Sequence, residues 1–421
     1  MTEQAEQSER TLLIVSYWYP PAVGAAAERI RSFAEYLPLH GWNCHVLTAR
    51  RTNGAPALSG VTVHETPDRA GTRGPVFADY DPRRRPSRTR ALLRDFLFPD
   101  RFVYWQRKAV PYAKELVTRL SPELILASFP PASAVLLALN VSRETNVPLV
   151  IDFRDPWFGP GGYEPRRTAA RKAHRRLRDE AIGAATALIT VSEAMADAIA
   201  RENAYDRKRI FVIPNGYEDP GPNDYAADSS ERDDQALASG PVTIAHVGTV
   251  IQRNRPDLFF QSLTILLGEK QLANVTFRFV GNLSRTFLDD AGLSPQVQTT
   301  GLVSPQAARR EMHNADALLL LTGGYVGKWG YSAKLFQYIR TGRPILCLEE
   351  QPNSNDRRFL ERFAQGRAFF APLDDPRRIA EAVNAIGAYI AEYPDPVLVP
   401  APGFEAYSRR DLAAKLAGLL A

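Results

Sequence analysis

Apolar positions along this chain fall into short, dense runs separated by stretches with helical spacing. The runs TLLIVSYW, WNCHVLTA, LILAS (124 to 128), PLVIDF and ALITVS read as buried strands, and a helix from about Glu28 to Leu37 follows the loop PPAVGAAA. Continuous rather than alternating hydrophobicity is what a strand covered on both faces requires, and strand–helix alternation predicts a parallel sheet.

From Glu65 to Phe98 the pattern dissolves into Pro, Gly and Arg, an excursion from the sheet. After VIPNGY comes EDPGPNDYAADSSERDDQALASGP, polar and without period, which reads as a linker. The alternation then restarts. VTIAHVG, VTFRFVG, VQTTGLV, ADALLLLT and PILCL read as strands; helices are expected over Pro256 to Leu267, from Ser332, and over Pro376 to Ala391. FEAYSRRDLAAKLAGLL ends the chain with helical spacing of its leucines. The expected organisation is an N-terminal Rossmann-like domain over 1–217, a linker over 218–240, a second Rossmann-like domain over 241–402, and a C-terminal helix over 403–421 packing back on the first domain.

A chain of 421 residues exceeds the roughly 100–200 of an ordinary domain, in keeping with two cores. Cys44 and Cys347 lie in opposite halves, which excludes a disulfide scaffold and suits a reducing, cytoplasmic setting. No apolar run approaches the roughly 18 residues of a membrane span. The net charge of +5 is modest, but basic residues cluster between Arg83 and Arg94 and between Arg166 and Arg178. The second cluster fits a solvated helix face, a phosphorylated acceptor, or peripheral contact with anionic lipid at the inner face of a membrane. Neither cluster has the interleaved aromatics of a nucleic-acid module, so no nucleic acid is expected.

In parallel α/β sheets ligands sit beyond the carboxyl ends of strands, which focuses attention on four loops. The first carries Gly24 before a helix bearing Arg29; its backbone N–H groups suit an anion, while the guanidinium suits either an anion or an ion pair. The second, IDFRDPW, sets Asp152, Arg154 and Asp155 beyond a buried strand, where charges must pair or bind something. The third, VGTVIQRNRP, offers Gly248, Arg253 and Arg255, a pattern suited to pyrophosphate. The fourth, GKWGYSAKLFQY, places Ser332 and Lys334 at a helix start, a second phosphate-type site. No Walker loop, GxGxxG fingerprint, G-x-S-x-G elbow or metal-ligand spacing of histidines occurs, and two carboxylates alone do not make a metal site.

SYWYPPAVGAAAERIRSFAEYL, LFPDRFVYWQRKA, LILASFPPASA, LVIDFRDPWF, ALITVSEAMADAIA, VIPNGYE, AHVGTVIQRNRP, FVGN, TGLVS, ADALLLL and YSAKLFQYIRTGRPIL, in this order, resemble the retaining glycosyltransferases of family 4, group-1 type, with the GT-B fold. The likeness covers nearly the whole chain and is strongest toward bacterial-type members with D-F-R-D-P-W, often found in polysaccharide and glycoconjugate assembly. It implies two Rossmann-like domains facing across a cleft, and transfer of a sugar from a nucleoside diphosphate sugar to a saccharide, lipid-linked or small-molecule acceptor with retention at the anomeric carbon. It implies no cofactor and no obligatory metal.

By the same resemblance Arg255 and Lys334 would stabilise the leaving diphosphate, with Arg253 beside them. Gly24, Gly248, Ser332 and Gln337 would line the donor, and Gly281, Asn282 and Val303 would lie near the base. Arg29, Asp152, Arg154 and Asp155 would face the acceptor. Trp329 and Gln337 stand where the family commonly has glutamates eight positions apart, the second of which binds ribose hydroxyls. A neutral amide there accepts hydrogen bonds less strongly, which suits a deoxyribose donor such as a thymidine diphosphate sugar. It also keeps two alternatives open: a catalytically weak nucleotide-binding homologue, and a sugar-nucleotide epimerase or phosphorylase.

Overall fold

The computed structural model describes residues 10–51, 54–55, 58–68, 97–158, 167–218, 241–250, 254–283, 287, 295–323, 329–396 and 401–421. These fall into two compact units, the first ending at Asn215 but including Arg409–Ala421, the second spanning Gly216–Ser408. The expected linker, apart from residue 218, and most of the 65–98 excursion lie outside the described residues.

The first unit is a parallel seven-stranded sheet: β1 (Arg10–Val15), β2 (Trp42–Ala49), β3 (Val61–Thr66), β4 (Leu124–Phe129), β5 (Leu149–Phe153), β6 (Ala187–Thr190) and β7 (Ile210–Val212). Their spatial order is β3-β2-β1-β4-β5-β6-β7. Helices α1 (Ala25–Tyr36), α2 (Val103–Leu120), α3 (Ala132–Thr145), α4 (Thr168–Ala184) and α5 (Glu193–Asn203) alternate with them. Successive residues of β1 divide between two cores. Leu13 and Val15 join Ile125 and Trp105, whereas Leu12 and Ile14 join Ile30, Phe33 and Leu126. This two-sided burial is why the strands read as unbroken apolar runs. The C-terminal helix α11 (Arg409–Leu420) adds Leu412, Leu416 and Leu420 to the second of these cores.

The second unit repeats the plan with six parallel strands: β8 (Val242–Val247), β9 (Val275–Val280), β10 (Val297–Gly301), β11 (Ala317–Thr322), β12 (Ile345–Glu349) and β13 (Ala368–Pro372), in the order β10-β9-β8-β11-β12-β13. Its helices are α6 (Pro256–Gly268), α7 (Pro305–Asn314), α8 (Ala333–Arg340), α9 (Asn355–Phe363) and α10 (Pro376–Glu392). Ser304, Ser354 and Asp375 cap α7, α9 and α10 by accepting a backbone N–H three residues on. In each sheet the strand order reverses at one place, between β1 and β4 and between β8 and β11. Those switch points are where a doubly wound sheet opens a crevice for ligand.

Candidate functional site

At the switch point of the second unit, β8 and β9 end in glycines that nearly touch. Gly248 and Gly281 have φ of 117° and 126°, a region that favours glycine. A Cβ on Gly281 would lie 2.8 Å from the backbone carbon of Gly248, and one on Gly248 would lie 2.6 Å from Cε of Lys334. Backbone bonds fasten this floor: the Gly248 N–H donates to Val280 O at 2.7 Å, the Gly281 N–H to Gly301 O at 2.9 Å, and the Val250 N–H to Asn282 O at 3.0 Å. Val303 packs beside the apolar cluster that holds Leu335 and Phe336 of α8.

Lys334 stands in the first turn of α8, whose N-cap is Ser332. Burial draws its pKa down to about 8, while Asp356 works in the opposite direction. Among the described residues no carboxylate forms an ion pair with it. The ammonium, carried on the first turn of α8, thus meets the glycine floor, a fixed positive charge beside a helix N-terminus of the kind suited to phosphate oxygens. Gln337 follows one turn later, partly buried. Beneath the floor, His246 uses Nδ1 toward Leu319 O at 3.0 Å. Burial, and secondly Lys334, hold its pKa down to about 3, so it is a neutral structural imidazole.

Arg255 takes a left-handed conformation (φ 49°) immediately before α6. Its guanidinium is held by Asp257 and by Glu350, whose Oε1 accepts from Nη1 at 2.6 Å. The expected phosphate cation therefore has two carboxylates as partners within its own unit. Arg253 lies outside the described residues.

In the first unit Gly24, at φ 132°, is the N-cap of α1. Arg29 and Asp152 are 1% and 0% exposed and form a buried ion pair, with Nη2 to Oδ1 at 2.8 Å and Nε to Oδ2 at 2.9 Å. Arg29 Nη1 also donates to Pro214 O. Of the two alternatives left open for Arg29, the structure therefore carries the ion pair, deeply buried rather than on a helix surface. This pair ties α1 to β5 and offers no face to solvent. Arg154 donates to Ser128 Oγ and Pro130 O, so it clamps the ends of β4 and β5 together, with Asp155 beside it.

Three contributors escape the sequence. A Cβ on Gly323 would lie 2.6 Å from the Asn254 backbone carbon, so this glycine lets the segment before α6 lie over the end of β11. Asn254 Nδ2 then donates to Leu321 O at 2.6 Å. The third is Asp356, fully buried, whose Oδ1 accepts the Ser332 N–H at 2.9 Å. Nothing in the exposed-looking sequence NSNDRR marks it for burial, whereas Gly323, preceding Gly324 after an apolar run, could have been suspected as a site of close backbone approach. Among the described residues no three His, Cys, Asp or Glu side chains converge as metal ligands would.

Residues 24–216 match the family model described as "Glycosyl transferase 4-like domain". Among curated proteins none matches the sequence. Among solved structures, HepE of Anabaena in complex with UDP and glucose is 15% identical, covering 98% of this chain and 99% of that one with a TM-score of 0.60. The catalytic domain of starch synthase IV from Arabidopsis thaliana, bound to ADP and acarbose, is 12% identical over 98% and 99%, with a TM-score of 0.63. A UDP-N-acetylglucosamine 2-epimerase is 12% identical over 97% and 94%, with a TM-score of 0.52. At such identities the likeness establishes the fold, an α/β architecture of two doubly wound units shared with GT-B glycosyltransferases.

Proposed function

We propose that this protein is a glycosyltransferase that moves a sugar from a nucleoside diphosphate sugar to a saccharide, lipid-linked or small-molecule acceptor, with retention at the anomeric carbon. The observation that carries the reading is Lys334 over the Gly248–Gly281 floor at the switch point of the second unit. The close-packed glycine floor seats the Lys334 side chain, and that ammonium, which forms no ion pair with a carboxylate among the described residues, offsets phosphate charge. As the bond from the anomeric carbon to the phosphate oxygen breaks, negative charge grows on the departing diphosphate. Lys334 and the N-terminus of α8 meet that charge without reorganising. Arg255 joins them by exchanging Glu350 or Asp257 for a phosphate oxygen.

The likeness to structures bound to UDP with glucose and to ADP with acarbose supports a nucleotide-sugar donor. Gln337 in place of a ribose-binding glutamate favours a deoxyribose donor, which predicts faster turnover of thymidine than of uridine diphosphate sugars. Lys172, Arg175 and Arg176, exposed on α4 and without an ion-pair partner among the described residues, support peripheral contact with an anionic membrane carrying a lipid-linked acceptor.

The test is release of nucleoside diphosphate from a panel of sugar nucleotides, with and without mixed acceptors. Acceptor-dependent release, reduced at least ~100-fold by Lys334→Ala and by Arg255→Ala, supports transfer. Interconversion of the sugar without acceptor would instead make the chain an epimerase, and tight binding without turnover a nucleotide-binding homologue, the alternative that Trp329 and Gln337 keep open.

A further inference from the structure

Asp356 is a carboxyl in a place where a carboxylate is costly. It lies in the first turn of α9, wholly buried; Oδ1 accepts the Ser332 N–H at 2.9 Å, and Oδ2 has no partner. A buried carboxylate oxygen without a donor carries the full loss of its hydration, a loss that a proton on that oxygen removes. The groups around it fall into two sets. From α8 comes the ammonium of Lys334. From β12 come Glu349, already engaged by Ser354 Oγ and Arg357, and the thiol of Cys347, which burial pushes well up and keeps neutral. His246 on β8, beyond Lys334, stays neutral as described.

We propose that Asp356 is the positioning residue of the phosphate site. Its carboxyl anchors the first turn of α8 through the Ser332 N–H and, by holding or releasing a proton at Oδ2, sets the net charge that Lys334 presents to a diphosphate. The inference rests on the donor-site reading above. Burial above all lifts the pKa of Asp356 to about 7, with Glu349 adding to the rise and the Ser332 N–H and Lys334 opposing it. Below that pH the carboxyl is neutral and the ammonium faces the ligand uncompensated; from there to about 8, where Lys334 itself gives up its proton, a carboxylate balances the ammonium. A diphosphate diester, whose charge is constant through this range, therefore draws a proton onto Asp356 when it binds.

The experiment measures binding of UDP-, GDP-, ADP- and dTDP-glucose to the full chain by calorimetry between pH 6 and 7.5, below the range in which Lys334 loses its proton, following the one that binds most tightly. Asp356→Ala, which removes the anchor, is expected to weaken binding about tenfold or more at pH 6, as leaving the buried Ser332 N–H without its acceptor would. Asp356→Asn keeps an acceptor for Ser332 and is expected to bind within about threefold of wild type at pH 6. It is also expected to lose part of the pH dependence: the wild type gains more affinity from pH 7.5 to 6, by about threefold or more, half a pKa unit of coupling. Ser262→Ala, which removes a buried hydrogen bond from α6 to Leu373 O beyond β13, controls for destabilisation alone and is expected to leave affinity unchanged.

Equal pH profiles for wild type and Asp356→Asn, or an Ala variant that binds as wild type does, overturn the role of Asp356. Should Asp356→Ala fail to fold, the Asn profile decides. Lys334→Ala separates this outcome from failure of the underlying reading. If none of the four sugars binds, or if Lys334→Ala binds as tightly as wild type, the donor site itself is wrong and the inference falls with it.

Discussion

A Cβ placed on Gly281 would come within 2.8 Å of the backbone carbon of Gly248, closer than real side chains approach a main chain. Two neighbouring strands thus end against each other, and the gap filled by no side chain is the floor on which Lys334 rests. Gly281→Ala must part the strands and adopt φ near 126°, so it is expected to cost about 1–3 kcal/mol from backbone strain together with nucleotide binding. Gly301 supplies the comparison. It too has positive φ, 71°, but a Cβ there meets nothing within 4 Å. Gly301→Ala is expected to lose about 1 kcal/mol and to keep the site. Urea melts and nucleotide titrations of both variants check this; equal loss of binding in the two would remove the floor from the account.

The Arg29–Asp152 pair is expected to act on stability. Asp152→Asn or Arg29→Met leaves a buried charge without its counterpart and is expected to cost about 3–5 kcal/mol. The double variant Arg29→Met with Asp152→Leu is expected to recover most of that loss. Denaturation measured on the three variants decides, and a double variant no better than the singles would argue that both groups serve a ligand.

Acid should destabilise the second unit through His246. Its folded pKa, about 3, lies below the usual value of about 6.5, so between these values the unfolded chain binds the extra proton. Stability is therefore full above pH 6.5 and falls as pH drops toward 3. The loss from this histidine is about 1.5–2 kcal/mol between pH 6.5 and 5. Unfolding of His246→Asn should show a correspondingly shallower decline over that interval, whereas an unchanged slope would mean that other groups govern the acid limb.

The alternation of apolar runs and helical stretches was sufficient to read two doubly wound units, because strands buried on both faces leave an unmistakable signature. β3, β7 and β13 do not read as strands in the sequence, β7 because its IFV spans only three residues. VTVHET alternates apolar and polar residues at the sheet edge, and AFFAP is short and only half-buried. Glycines after strands pointed to Gly248 and Gly281, yet the contact between them is a matter of register that no local pattern records. Asn254 and Asp356 act through main-chain approach and burial across elements, for which the residue type alone carries no mark, whereas Gly323 is marked by its place after an apolar run. Arg29 and Asp152 looked alike as ligand groups or as an ion pair until their burial was known.

The central claim is that the second unit holds a nucleoside diphosphate against Lys334. Thermal unfolding of the wild type and of Lys334→Ala with UDP, GDP, ADP and dTDP tests it most directly, since a ligand at about 100 times its dissociation constant stabilises by roughly 2.7 kcal/mol. The account predicts that at least one nucleotide raises the melting temperature of the wild type and that the shift collapses in Lys334→Ala. No shift with any of the four, or an equal shift in both proteins, would contradict it.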